Sequence, residues 1–263
     1  MLYLLSFIFG SSIGSFVNLV ANRLHVAPIV ASRSKCLSCG HKLSWLDLIP
    51  IVSYAYLQGK CRYCKVSYGS PSLFVEIIYG LAYVALYHVV LLNQTSFALA
   101  NGWLFYYTLL FIVLGVMALY DRKHMYLPTL FLFFYSLLTL FMLMLRYLHE
   151  PNSLLFLGPL VISFPFLVVW IFSKGKALGF GDVVLFLGVG AFFGVAEGLL
   201  VILLSVWIGA LFGIGIYIQR ALGGKKIFSR TEIPFVPFIV FAFLIVLFTG
   251  ADIFSIASLF TRI

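Results

Sequence analysis

Apolar residues run in blocks roughly twenty long, separated by short polar or basic stretches. A helix rising 1.5 Å per residue needs about twenty residues to cross a hydrocarbon core of about 30 Å. The pattern predicts about eight such spans, near residues 1–21, 71–92, 102–120, 128–148, 154–172, 183–196, 199–218 and 235–251. With no water in the bilayer to satisfy backbone groups, the expected fold class is an all-α polytopic membrane protein. Residues 22–70 form the one sizeable polar interruption. The expected organisation is a first helix over 1–21, a small polar segment over 22–70 and a helical membrane core over 71–263.

Composition sharpens this picture. The chain is 63% hydrophobic and 10% charged, against about 25% charged in soluble domains. Met1–Val20 has the length of a secretory signal but lacks a basic start and a small-residue cleavage site, and its first cation, Arg23, follows the apolar run. It reads as a retained span with the N-terminus outside. The net charge of +9 invites a nucleic-acid reading, which its distribution excludes. Numbering the loops alternately places fifteen of the seventeen Lys and Arg on one side, leaving Arg146 and Arg262 on the other. That asymmetry marks the cytoplasmic face, and lipid headgroups account for the basicity.

The polar segment holds all four cysteines as Cys36-Leu-Ser-Cys39 and Cys61-Arg-Tyr-Cys64, separated by twenty-one residues. Two CxxC knuckles suit four thiolates around tetrahedral Zn²⁺, and the reducing cytoplasm disfavours disulfides. About fifty residues bury too little apolar surface to fold alone, so a metal would supply stability. Four thiolates leave no open coordination position, which makes the zinc structural. Gly10 with Gly14, and Gly209 with Gly213, have the spacing that lets helices pack closely.

Three acids stand at span ends on the inner side. Asp182 follows Gly179-Phe-Gly181 and opens an apolar run; Asp121 closes the run from Phe111; Glu76 lies about one turn into the span beginning at Pro71. A carboxylate within a span costs about 2.5–3.5 kcal/mol on insertion scales, which makes each a functional candidate. Asp121 and Asp182 are 61 residues and two spans apart, so the chain returns both to one face. His124 reads as an interfacial histidine. A very short turn near Glu197-Gly198 is expected to join the sixth and seventh spans, and Pro234 and Pro237 mark the start of the eighth.

Two carboxylates sharing a site keep one proton between them. One then takes a proton from water while the other hydrogen-bonds a scissile carbonyl, with no covalent adduct. Helix dipoles favour charge on Asp182, which begins a helix, and a proton on Asp121, which ends one. This assigns Asp182 as initial base and Asp121 as acid.

These residues together resemble the bacterial type IV prepilin leader peptidases, GxGD-type intramembrane aspartic proteases. The resemblance runs through Gly14-Ser-Phe-Val-Asn18, Arg23-Leu, the cysteine segment with Asp47-Leu-Ile-Pro50, Ser53-Tyr and Gly59-Lys-Cys61, Val75-Glu76, Asp121 with Leu127-Pro128, Gly179-Phe-Gly181-Asp182, and Pro234-Phe-Val-Pro237. Leu37, Val184, Val236, His25 and Ser70 depart from the family's pattern, but none removes an aspartate or a cysteine.

The resemblance implies removal of a short basic leader from prepilins or pseudopilins at the cytoplasmic face of the bacterial inner membrane. In many members methylation of the new N-terminus by S-adenosylmethionine follows. It implies Asp121 and Asp182 as the catalytic pair, and Cys36, Cys39, Cys61 and Cys64 as zinc ligands. Gly179, Gly181 and Glu76 are expected to position substrate or backbone, with Glu76 and Glu232 as local partners for the leader's cations. The rival readings are an ion- or proton-coupled transporter, which expects acids near the midplane and inverted repeats, and an assembly protein without catalysis.

Overall fold

The computed structural model describes every residue except 27, 30–32, 37, 69, 94–95, 223–232 and 253–263. Leu37, Glu232, Lys225, Lys226, Arg230 and Arg262 lie outside the described residues. Nine α-helices and no strand occur among those described. They are α1 (Leu2–Arg23), α2 (Val52–Leu57), α3 (Pro71–Asn93), α4 (Phe97–His124), α5 (Thr129–His149), α6 (Leu157–Ser173), α7 (Phe180–Phe193), α8 (Val195–Leu222) and α9 (Val236–Thr249). Six helical stretches are long and apolar enough to cross a membrane, while α7 and α9 are shorter apolar helices. The chain forms two compact units, Met1–Ile112 and Val113–Ile263.

In the first unit α1 packs on α3 through the glycine spacing seen in the sequence. A Cβ on Gly10 would stand 2.5 Å from Tyr83 Cβ, and one on Gly14 would stand 2.8 Å from Tyr79 Cβ. Both lie well inside the 3.5–4.0 Å of ordinary carbon contact, so only glycine lets the two backbones come this close. Tyr79 Oη donates to Phe111 O at 2.7 Å and Tyr83 pairs with Thr108, which ties α3 to the first part of α4.

In the second unit α7 is the central element, packed on α5, α6 and α8. Tyr135 of α5 is fully buried and donates to Leu185 O at 3.0 Å. Phe166 of α6 stacks on Phe186 at 3.7 Å, and the backbones of α6 and α7 nearly touch where Gly158 meets Gly190.

The turn between α7 and α8 falls at Gly194, not at Glu197-Gly198, which lie inside α8. The reason is local. Gly194 adopts φ 86°, a conformation open to glycine. The Arg146 guanidinium donates to Phe192 O at 2.8 Å, so a carbonyl that a helix end leaves unpaired gains a charged partner.

Candidate active site and metal centre

The four cysteines fold into two knuckles with the same bonding. In the first, Cys36 N donates to His41 O and Gly40 N donates back to Cys36 O; in the second, Cys61 N donates to Val66 O and Lys65 N to Cys61 O. Each knuckle closes through a residue of positive φ, Gly40 at 69° and Lys65 at 58°. The four Sγ atoms lie within 4.8 Å of one another, and Cys36 and Cys64 are 3.8 Å apart. Tetrahedral zinc with Zn–S near 2.3 Å needs sulfurs roughly 3.8 Å apart, so these residues fit a metal of that kind. Backbone amides of Cys39 and Ser38 pull the Cys36 thiol down to about 6, toward the thiolate that binds metal.

The same segment is anchored by two acids. Asp47 accepts from Ser44 N at 3.0 Å, Ser44 Oγ at 2.8 Å and Arg62 Nε at 2.8 Å. Glu76, in the second turn of α3 and buried, accepts from Ile51 N at 2.8 Å. Ile51 precedes α2 with φ 63° and ψ −51°, strained for a β-branched residue. Glu76 therefore fixes a strained turn of the cysteine segment to α3.

The aspartates belong to the second unit. Asp121 is buried in the last turn of α4, which continues to His124 and is capped where Met125 N donates to Asp121 O at 2.9 Å. Three residues more of helix follow it than the apolar run predicts. Asp182 is half-buried in the first turn of α7, whose N-cap is Gly179 in extended conformation (φ −73°, ψ 148°). The two stretches meet through Leu127, six residues after Asp121. A Cβ on Gly181 would stand 2.8 Å from Leu127 Cδ1, and Asp182 lies within Coulombic reach of Asp121.

A contact that the sequence did not disclose completes the site. Val236 N, fully buried at the start of α9, donates to Asp121 Oδ2 at 3.2 Å. It is one of the amides that a helix start leaves unpaired, and Pro237 beside it has no N–H to offer. The signal was present in Pro234-Phe-Val-Pro237, but nothing local named the acceptor 115 residues away. Because both aspartates face helix N-termini, the expected helix-end asymmetry does not divide base from acid. His124 is exposed and stacks on Tyr120 at 4.3 Å, which places it in an aromatic cluster with Tyr126.

Residues 8–90 match the bacterial peptidase A24 N-terminal domain, and residues 108–214 match the type IV leader peptidase family. A relative named prepilin leader peptidase/N-methyltransferase from Bacillus subtilis is 30% identical, covering 95% of each chain. Relatives of the same name from Pseudomonas aeruginosa and Aeromonas salmonicida are 29% and 28% identical over 95% of this chain and 91% of theirs. No solved structure matches the chain.

Proposed function

The chain belongs to the type IV leader peptidase family, and on that premise we propose that Asp121 and Asp182 cut the basic leader from prepilins or pseudopilins. The enzyme is a multi-pass membrane peptidase of the bacterial inner membrane. The charge asymmetry of its loops supports a cytoplasmic active site with the N-terminus outside.

The observation that carries the reading is the seat of Leu127 against Gly181, which holds the end of α4 against the start of α7. One carboxylate takes a proton from water as the oxygen attacks the scissile carbonyl, and the other donates a hydrogen bond to that carbonyl. The tetrahedral intermediate then collapses as a carboxyl proton passes to the leaving amine. Gly179, exposed and extended beside Asp182, offers backbone along which an unwound substrate strand can lie; Gly181 allows the close seat of Leu127. Glu76 acts as a positioning residue through Ile51. The four cysteines hold structural zinc, which stabilises residues 22–70 within the unit Met1–Ile112.

The relatives' second activity extends to this chain. S-adenosylmethionine, when bound, supplies an electrophilic methyl group for the newly exposed N-terminal amine. The test is leader removal from a prepilin by the detergent-purified enzyme. Asp121→Asn and Asp182→Asn should each abolish it, and retained cleavage in both would end the aspartyl reading. Mass of the mature N-terminus reports methylation as about 14 Da.

A further inference from the structure

The peptidase chemistry needs two carboxylates at a fixed separation, yet they sit on different helices, α4 and α7. The element that joins them is α5. It begins at Thr129, eight residues after Asp121 and just past the Leu127 that seats against Gly181, and it packs against α7. Its root is therefore tied to Asp121, while its length lies along the helix that carries Asp182. All of these residues belong to the unit Val113–Ile263.

Two side chains of α5 hold α7 by its backbone carbonyls, one near each end. Tyr135, fully buried, donates to Leu185 O at 3.0 Å, about one turn beyond Asp182. Its ring lies in a notch left by Gly188, where a Cβ would stand 2.8 Å from the hydroxyl oxygen. Leu185 O lies in mid-helix, where the helical pattern already pairs it with the amide four residues on, so the carbonyl does not need the tyrosine. The need runs the other way: a buried tyrosine hydroxyl requires an acceptor, and a phenylalanine would fill the same notch without one. Arg146, about three turns further along α5, donates to Phe192 O at 2.8 Å, with Glu197 within its Coulombic reach. Apolar packing such as the Phe166–Phe186 stack is non-directional, whereas hydrogen bonds have a preferred geometry. A helix held at one point can still tilt; held at both ends by the same neighbour, it keeps its depth and rotation.

We propose that Tyr135 and Arg146 are positioning residues for the peptidase: together they set the depth and rotation of α7, and so the place of Asp182 relative to Asp121. The inference rests on the aspartyl reading above. A misplacement of about 1 Å can cost about a hundredfold in rate, so a bond one turn from the carboxylate governs turnover. Phe192 is ten residues beyond Asp182, about 15 Å along the helix, so the effect of Arg146 travels through α7 itself.

Leader cleavage of a prepilin by the detergent-purified full chain tests it, scored as kcat and KM per folded chain, with the folded fraction taken from thermal unfolding in the same detergent. Tyr135→Phe keeps the ring in its notch and removes only the hydroxyl. It should lower kcat and kcat/KM alike by about tenfold or more with KM unchanged, the pattern of a loss confined to the transition state. Arg146→Gln should show the same pattern to a lesser degree, and Arg146→Lys, which keeps a charged donor for Phe192 O, should restore most of kcat. Ser205→Ala removes a buried hydroxyl whose bond stays within α8 and should match wild type. Wild-type kcat per folded chain in Tyr135→Phe or in Arg146→Gln overturns the role of that residue. A loss confined to the folded fraction, a rise in KM at constant kcat, or an equal loss in Ser205→Ala overturns positioning by either. Asp121→Asn and Asp182→Asn, run alongside, keep the two readings apart. Cleavage by both removes the aspartyl mechanism itself, whereas their inactivity beside an unaffected Tyr135→Phe and Arg146→Gln removes the positioning alone.

Discussion

Asp121 is asked to do two things, and replacing it in two ways separates them. Its Oδ2 accepts from Val236 N at 3.2 Å, and both residues are buried, at 6% and 1% exposure. In Asp121→Ala the Val236 amide loses its acceptor in a place that excludes water. Leaving a buried donor unpaired costs about 1–3 kcal/mol. In Asp121→Asn the amide oxygen can still accept, so most of that cost disappears although the chemistry is lost. At about 2–4 °C per kcal/mol for a chain of this size, Asp121→Ala should melt roughly 2–12 °C below Asp121→Asn. The assay pairs thermal unfolding in one detergent with leader cleavage by the same preparations. Both variants should be inactive, and only the alanine variant should be markedly less stable. Equal melting temperatures would show that the Val236 contact carries no stability. Cleavage by Asp121→Asn would refute the catalytic assignment, whatever the melting data say.

Four further outcomes follow from the packing, the metal centre and the Asp47 carboxylate. A Cβ on Gly190 would lie 2.7 Å from Pro159 Cα, so Gly190→Ala must part α6 and α7 by about 1 Å at an overpacking cost of about 1–3 kcal/mol; melting should drop and kcat fall as Asp182 shifts. Gly215→Ala, whose Cβ meets nothing within 4 Å, should leave stability unchanged or raise it by up to about 1 kcal/mol. Removing zinc with a strong chelator, or replacing Cys61 by Ser, should collapse the knuckles and raise proteolysis between residues 33 and 68, measured by limited digestion. Burial works against ionising Asp47, but bonds from Ser44 and Arg62 outweigh it and hold its carboxyl below the usual range. Its contribution is therefore present above about pH 4 and lost as pH falls through the lowered value. The stability gap between wild type and Asp47→Asn should close on acidification, and a gap that widens below pH 4 would contradict that.

The membrane helices were legible because hydrocarbon imposes length and apolarity on every span, and Asp182 was legible because an acid at the head of such a run has a cost. The knuckles were legible from ligand spacing alone. What escaped was set by partners remote in sequence. The α7–α8 junction was expected at Glu197-Gly198, where a charge interrupts the apolar run, but Arg146 and the positive φ of Gly194 end α7 sooner. Asp121 was expected to end its helix, yet α4 tolerates Arg122, Lys123 and His124 as its final turn, where cations suit the carboxyl end of a helix. Glu76 stood out in the sequence as an acid inside an apolar span, but its partner, the Ile51 amide, follows from a backbone strain that composition does not show. The Val236 bond to Asp121 is of the same kind.

The shortness of α7 and α9 has a consequence for the lipid around them. Fourteen residues each make helices about 21 Å long, some 9 Å less than an average hydrocarbon core of about 30 Å. That deficit is hydrophobic mismatch, relieved by thinning the bilayer locally or by letting water in at a helix end, at fractions of a kcal/mol per ångström. The chain spends both deficits at the same address: Asp182 opens α7, and Asp121 takes the first amide of α9. If the two aspartates cut as proposed, local thinning there would let hydrolytic water meet a peptide bond at the edge of an apolar helix without a channel through the protein, and turnover would vary with membrane thickness.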